Sequence, residues 1–280
     1  MTMEDRPLLT VVLPVKNEAK NLPTCLEKAK PLGPLVVVDS GSTDGTQDIA
    51  REHGAQVLDF QWDGHFPKKR NWTLRNHTFT SDWVLFLDAD EFVTAAFIEE
   101  LTRTLEDTQH VGFWLNFDNH FLGKRLAHGE KNRKLACFRV GAGEYEYIAE
   151  EMWSSLDMEV HEHPMLEGSI GEIKATIGHN DYRGITHFVT KHNEYASWEA
   201  RRYLRLVAEG KTEWDKLTDR QRTKYAALPK WWFAPAYFVR SYLLQKGFLD
   251  GHTGLCFALM KVHYFFTIRL KILEELHRNG

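Results

Sequence analysis

Cysteine is scarce: Cys25, Cys137 and Cys256 are odd in number and widely spaced, and no Cys-x-x-Cys pair occurs. That excludes a disulfide framework and a zinc site, and it predicts a reduced, cytoplasmic protein. Long apolar runs are missing too, since no stretch reaches the roughly 18 uncharged residues that a bilayer-spanning helix takes. Any membrane contact is left to the surface. The start, MTMEDRPLLT, carries its charges straight into the first apolar segment and lacks a signal-peptide pattern. There is no internal repeat and no low-complexity linker, so a chain of 280 residues with 43% hydrophobic content can bury a sizeable core in one main domain. Recognised nucleic-acid motifs are absent, and residues 1–200 are acidic, so nucleic acid is not an expected partner.

What is present is a series of short apolar runs that stop on polar and acidic residues. Residues 8–15 form an almost unbroken, β-branched run, which fits a strand buried on both faces of a parallel sheet and halts at Pro14-Val15-Lys16-Asn17-Glu18. A helical stretch over about 21–30 is broken by Pro31-Leu32-Gly33-Pro34. Residues 35–38 make a second buried strand that ends on Asp39-Ser40-Gly41-Ser42-Thr43-Asp44-Gly45-Thr46. Ser42 or Thr43 is suited to cap the next helix, which runs to about Glu52, and residues 56–60 supply a third short strand. Residues 83–91 read WVLFLDADE, a strand closing on Asp88 and Asp90 with Glu91 behind them, and Thr94 can cap the helix beyond. Strand alternating with helix predicts an α/β fold with right-handed crossovers, a mainly parallel sheet, and ligands beyond the strands' carboxyl ends. Asp39, Asp88 and Asp90 then converge on one crevice. Strand alternation sends Asp88 and Asp90 to the same side. Hard oxygen ligands so gathered suit Mg²⁺ or Mn²⁺ carrying a nucleotide diphosphate, although an acidic cluster after a strand is equally what a solvated turn and helix start would show.

In order and spacing, LTVVLPVKNEAKNL, VVVDSGSTDGT, KKRN and WVLFLDADE resemble the inverting family 2 glycosyltransferases of the GT-A fold, a Rossmann-like architecture for nucleotide-diphospho-sugar transfer, over about residues 8–105. VHEHP, IGHNDY and KHNEYASWEA are similar to the bacterial members that extend lipopolysaccharide core or other surface polysaccharides. The resemblance implies a turn of Pro14, Val15, Asn17 and Glu18 along the nucleobase, with Asp39 hydrogen-bonding a base that is usually uracil. Lys69, Arg70 and Asn71 would lie near base and phosphates, where cations offset diphosphate charge; by composition alone they also read as an ordinary basic helix face. Asp88 is assigned to the ribose, and Asp90 to the metal. His179 matches a C-terminal histidine used as a further metal or diphosphate contact, though with fourteen histidines in the chain a lone one is also an ordinary hydrogen-bonded residue. An inverting transfer is a single displacement that needs one carboxylate to take the acceptor's proton. Glu162 occupies the position of that base; Glu150, Glu151 and Asp157 are competing acids in the same stretch. The commoner form of this element is Glu-Asp, and this chain has His161-Glu162.

Charge divides unevenly. Residues 201–280 hold 15 Lys and Arg against 7 Asp and Glu, whereas residues 1–200 hold 20 against 32, for a net −4. The expected organisation is a catalytic domain over 1–183 and a helical region over 184–280. Residues 185–209 read as a helix with Ile185, Phe188, Val189, His192 and Tyr195 on its apolar face and Gly210 as its stop. Residues 224–276 mix aromatics with basic residues such as Lys261, Arg269 and Lys271, which suits the inner face of a membrane, or else packing on the catalytic domain or a homo-oligomer interface. The expected activity is metal-dependent transfer of a sugar from a nucleotide-diphosphate sugar, UDP-linked, to a saccharide acceptor, lipid-linked. Two other classes are open: a sugar-nucleotide nucleotidyltransferase and a non-catalytic sugar-nucleotide-binding protein. The first would want a glycine-rich, basic loop after the first strand, and Val15-Lys16-Asn17-Glu18 is acidic and glycine-free. Retention of both aspartates and a candidate base argues against the second.

Overall fold

The computed structural model describes residues 6–148, 157, 163–180 and 184–278. β1 (Leu9–Val15) is buried along its whole length, as its almost unbroken apolar run requires. It is followed by α1 (Leu22–Ala29), β2 (Leu35–Asp39), α2 (Thr46–Glu52), β3 (Gln56–Asp59), α3 (Lys69–Asn76) and β4 (Trp83–Phe86). These strands are parallel in the order β3-β2-β1-β4, as expected of alternating strand and helix. Register aligns their carboxyl ends: Val15 lies opposite Asp39, and Asp39 opposite Asp59. The turn into β2 passes so close to β1 that a Cβ on Gly33 would stand 2.2 Å from the Leu9 carbonyl oxygen, and its φ of +143° is one that L side chains rarely adopt. Only glycine fits there.

The second half of this unit was not anticipated in detail. β5 (Glu91–Phe92), α4 (Ala95–Glu106), β6 (Gly112–Phe121), β7 (Lys124–Arg125), β8 (Asn132–Arg139), β9 (Gly143–Tyr145), β10 (Pro164–Leu166) and β11 (Ile170–His179) follow. Among the described residues the main sheet continues β4-β8-β6-β11-β5. β8 is antiparallel to β4 and β6, β11 is parallel to β6, and β5 is antiparallel to β11. The sheet is therefore mixed, with its parallel core in the first half of the chain. β6 shows the alternating burial of a strand with one covered face, Leu115 and Phe117 inward and Trp114, Asn116 and Asp118 less buried. Thr94 caps α4 as expected, accepting from Phe97 N at 3.2 Å.

Two local expectations fail. β4 ends at Phe86, and Asp88 to Glu91 form a turn closed by Glu91 N donating to Asp88 O at 2.9 Å, so strand alternation does not govern Asp88 and Asp90. The N-cap of α2 is Gly45, with φ of +87° and no side-chain cap, because the Ser42 and Thr43 groups are drawn back to Asp39 and Asn17.

The chain divides into two compact units, Met1–Asn119 with Lys131–Asp181, and His120–Glu130 with Tyr182–Gly280. The excursion 120–130 thus groups with the helices, a feature that a boundary at 183 does not convey. The second unit holds α5 (Ile185–Glu209), α6 (Lys211–Asp215), α7 (Asp219–Ala227), α8 (Phe233–Phe238) with a π-helical turn at Val239–Leu244, and α9 (Gly251–Arg278). α5 has the expected bounds and stops at Gly210, but its buried face is displaced. Ile185 and Val189 are exposed, while Ala196, Ala200 and Leu206 join Tyr264, Ile268 and Ile272 of α9 in the core. Small residues at 196 and 200 let the two helices approach closely. Basic residues of α9 are also turned inward: Lys261 lies over the rings of Tyr264 and Phe265, and burial lowers its pKa against the pull of Glu130. Arg269 donates to the Pro229 carbonyl at 3.1 Å. No helix among the described residues is long and apolar enough to cross a membrane.

Candidate active site

The carboxyl ends of β1 and β2 carry loops that brace each other. Asn17 takes a left-handed conformation, φ +55°, which an asparagine tolerates. Its backbone N–H donates to Ser42 Oγ at 2.7 Å, and its side-chain Oδ1 accepts from Thr43 N at 2.9 Å. Glu18 N donates to Thr46 Oγ1 at 2.9 Å. Beneath them Asp39 is fully buried and accepts from Ser42 N at 2.9 Å, from Gln47 Nε2 at 2.8 Å and from the Ser42 hydroxyl. Burial opposes its charge, but these hydrogen bonds and the Lys69 ammonium prevail and hold its carboxyl below the usual range. Lys69 is only 2% exposed; it donates to the Val15 carbonyl at 2.9 Å and pairs with Asp157 at 3.3 Å. Burial lowers its pKa in spite of Asp157. Pro14, Val15, Asn17, Glu18, Asp39 and Lys69 are thereby brought together.

Lys69 and Asn71 are buried, so α3 is not a solvated basic face. Asn71 donates from Nδ2 to the Tyr145 carbonyl at 2.9 Å and accepts at Oδ1 from Tyr145 N at 2.8 Å. Both ends of its amide close on the β9 backbone, a brace that locks α3 to the small β9–β10 sheet.

The acidic turn is partitioned among cations. Asp88 Oδ1 accepts from Arg70 Nη2 at 2.8 Å, and Asp88 Oδ2 from Lys134 Nζ at 2.6 Å. Lys134 also donates to Glu91, whose other oxygen accepts from Asp88 N at 3.0 Å. Burial works against the Lys134 charge, but Asp88 and Glu91 outweigh it and raise its pKa. Glu91 is 1% exposed, and burial raises its pKa, assisted by Asp88 and Asp90 and countered by Lys134. His179, opposite Glu91 in the β11–β5 register, brings Nε2 to 3.7 Å from Asp90 Oδ2. Burial disfavours its charge, yet the Asp90 carboxylate raises its pKa overall. Asp90, Glu91 and His179 each offer a ligand atom, all within 4.8 Å of one another. Two carboxylates and an imidazole so disposed fit Mg²⁺ or, with its greater tolerance of nitrogen, Mn²⁺.

Glu162 lies outside the described residues, as do Glu150 and Glu151; Asp157 is described and serves Lys69. Sequence reasoning missed Lys134 entirely and gave Glu91 no separate role. Glu91 was adjacent to the acid pair and findable. Lys134 had no local signal, for it reaches Asp88 only because β8 returns antiparallel beside β4.

Comparison with known proteins gives this geometry a family. A lipopolysaccharide core biosynthesis glycosyltransferase of Rhizobium meliloti, LpsC, is 24% identical over 92% of this chain and 89% of its own length. A Rickettsia felis protein described as an uncharacterized glycosyltransferase is 26% identical over 93% of this chain and 89% of its own. Among solved structures, a mannosyltransferase from Pyrobaculum calidifontis in complex with GDP-Man and Mn²⁺ aligns over 96% of this chain and 87% of that one, at 17% identity and a TM-score of 0.49. The profile of glycosyl transferase family 2 matches residues 10–160, the segment that contains β1, the Asp39 loop, α3 and the Asp88–Glu91 turn. With more than half its length matched, and with the mixed α/β sheet of a GT-A fold, the chain belongs to glycosyl transferase family 2 and is a glycosyltransferase enzyme.

Proposed function

We propose that this glycosyltransferase is metal-dependent and inverting, and that it moves one sugar from a UDP-sugar to a saccharide hydroxyl on a lipid-linked glycan of lipopolysaccharide or another surface polysaccharide. The observation that carries this reading is the convergence of Asp90, Glu91 and His179 within 4.8 Å, beside the Asp88 turn. Asp39, held ionised by Ser42 and Gln47, is suited to accept from a uracil N–H. Asp88 accepts from the ribose hydroxyls, and Arg70, paired with it, supplies fixed positive charge on the phosphate side. Asp90, Glu91 and His179 would hold a Mg²⁺ or Mn²⁺, which would supply countercharge to the diphosphate. Glu162 takes the acceptor's proton. The name of the Rhizobium relative supports the polysaccharide branch of the reading.

Donor class is tested by thermal stabilisation. UDP or a UDP-sugar with Mn²⁺ at a hundredfold excess over Kd should stabilise the chain by about 2.7 kcal/mol, a shift of several degrees that EDTA removes. Equal shifts with and without metal would refute the metal dependence, and a shift with GDP alone would refute the uridine assignment.

The lipid branch rests on the surface of the helical unit. Residues 220–249 contain six Lys and Arg and no Asp or Glu. Exposed within that stretch are Trp231 (71%), Leu243 (50%), Leu244 (74%) and Leu249 (55%), flanked by Lys230, Arg240 and Lys246. This combination suits an anionic interface, where basic residues contribute about 1 kcal/mol each and apolar side chains insert. Lys261 and Arg269, turned inward, do not belong to it. Leu243→Ser with Leu244→Ser should weaken binding to anionic vesicles in flotation assays while donor binding stays unchanged. If the same pair instead splits a dimer in size-exclusion chromatography, the surface joins two copies of this chain.

A further inference from the structure

β8 sets Lys134 on the antiparallel neighbour of β4, and its ammonium donates both to Asp88, at 2.6 Å, and to Glu91. Glu91 is also one of the three candidate metal ligands. A single buried carboxylate is therefore shared between a resident ammonium and the cation position. Two positive charges competing for it repel each other. A cation arriving alone would have to displace the ammonium or tolerate it. A diphosphate changes this balance, because its negative charge gives the ammonium a second partner. Lys134 is free to move between the two: its side chain is 40% exposed, and a flexible four-carbon stem carries the charge. Its withdrawal would not abandon Asp88, which keeps the Arg70 guanidinium at 2.8 Å on its other oxygen.

We propose that Lys134 couples cation binding to donor binding. Without a donor it holds Asp88 and Glu91 and weakens the site for a divalent cation; with a donor its ammonium engages the diphosphate and yields Glu91 to the cation. The inference rests on the glycosyltransferase reading of the Asp88–Glu91 turn. Linkage makes the effect reciprocal, so each ligand raises the other's affinity by the same factor.

The experiment titrates the full-length protein with Mn²⁺, with and without inorganic pyrophosphate, by isothermal calorimetry and Mn²⁺ paramagnetic resonance. Pyrophosphate isolates the diphosphate from any choice of base or sugar. In the wild type it should tighten Mn²⁺ binding by roughly tenfold or more. In Lys134→Met, Mn²⁺ alone should bind roughly tenfold more tightly than to the wild type, and the gain from pyrophosphate should fall below about threefold. Lys134→Arg should keep the wild-type pattern, and Lys134→Gln should repeat the Lys134→Met pattern if methionine impairs folding. A residue that merely supported the site would lower both affinities together. If Lys134→Met and Lys134→Gln melt like the wild type but bind Mn²⁺ equally or more weakly, or keep the full gain from pyrophosphate, the coupling role is overturned while the metal site stands. If the wild type binds no Mn²⁺ even with pyrophosphate, the metal reading falls and the coupling with it.

Discussion

Asp90→Ala should fold as the wild type does and lose metal-dependent donor binding, with kcat/KM reduced by at least about 100-fold, the scale of removing one preorganised electrostatic partner of the transition state. The loss should not come from instability. Asp88, Asp90 and Glu91 crowd three carboxylates into one turn, and the raised pKa of the buried Glu91 reflects burial first and then that crowding. Removing one acid relieves like-charge repulsion, so the melting temperature should hold or rise, the usual trade between function and stability at a charged site. A matched pair of measurements checks this: thermal melts in the absence of ligand, and Mn²⁺-dependent UDP binding by calorimetry. Wild-type turnover in Asp90→Ala would remove Asp90 from the site.

Glu162→Gln should show the opposite division of effects. Donor affinity should stay near the wild-type value while kcat falls by roughly 100-fold or more, because a general base acts in the transition state and contributes little to ground-state binding. The amide keeps the shape of the side chain and removes only its basicity. Asp157→Asn provides the contrast. Asp157 pairs with the buried Lys69 at 3.3 Å, so its loss should disturb the Asp39 end of the site and weaken nucleotide binding. If Asp157→Asn or Glu151→Gln instead gave normal donor affinity with collapsed turnover, the base would belong to that residue.

The parallel strands were legible in the sequence because β1 and β2, covered on both faces, must be almost wholly apolar. Asp39 was legible for a related reason: an acid closing such a run has to be held by something, and Ser42 and Gln47 hold it. The basic element at 68–71 was legible as a motif and misleading as chemistry. A Lys-Lys-Arg-Asn string looks like surface, yet Lys69 is buried against the Val15 carbonyl and Asn71 against β9, contacts fixed by residues 54 and 74 positions away in the chain. The same distance in sequence hid Lys134, which meets Asp88 across 46 residues through an antiparallel return. Helix α5 shows what periodicity can and cannot deliver. Gly210 marked its end, but its pattern admits several faces, and the one that is buried depends on where α9 supplies Tyr264 and Ile268. Lys261 and Arg269 were misread on the same ground: a basic residue on an amphipathic helix reads as exposed until a ring or a carbonyl beside it is known.

The most direct test of the central claim is anomalous diffraction at the manganese edge from crystals grown with Mn²⁺ and UDP. The account predicts one strong peak bound by Asp90 and His179 with Glu91 as its third protein ligand, a diphosphate on its open side, and uracil against Asp39. Manganese bound elsewhere, or UDP held with no metal at the Asp88–Glu91 turn, would contradict it.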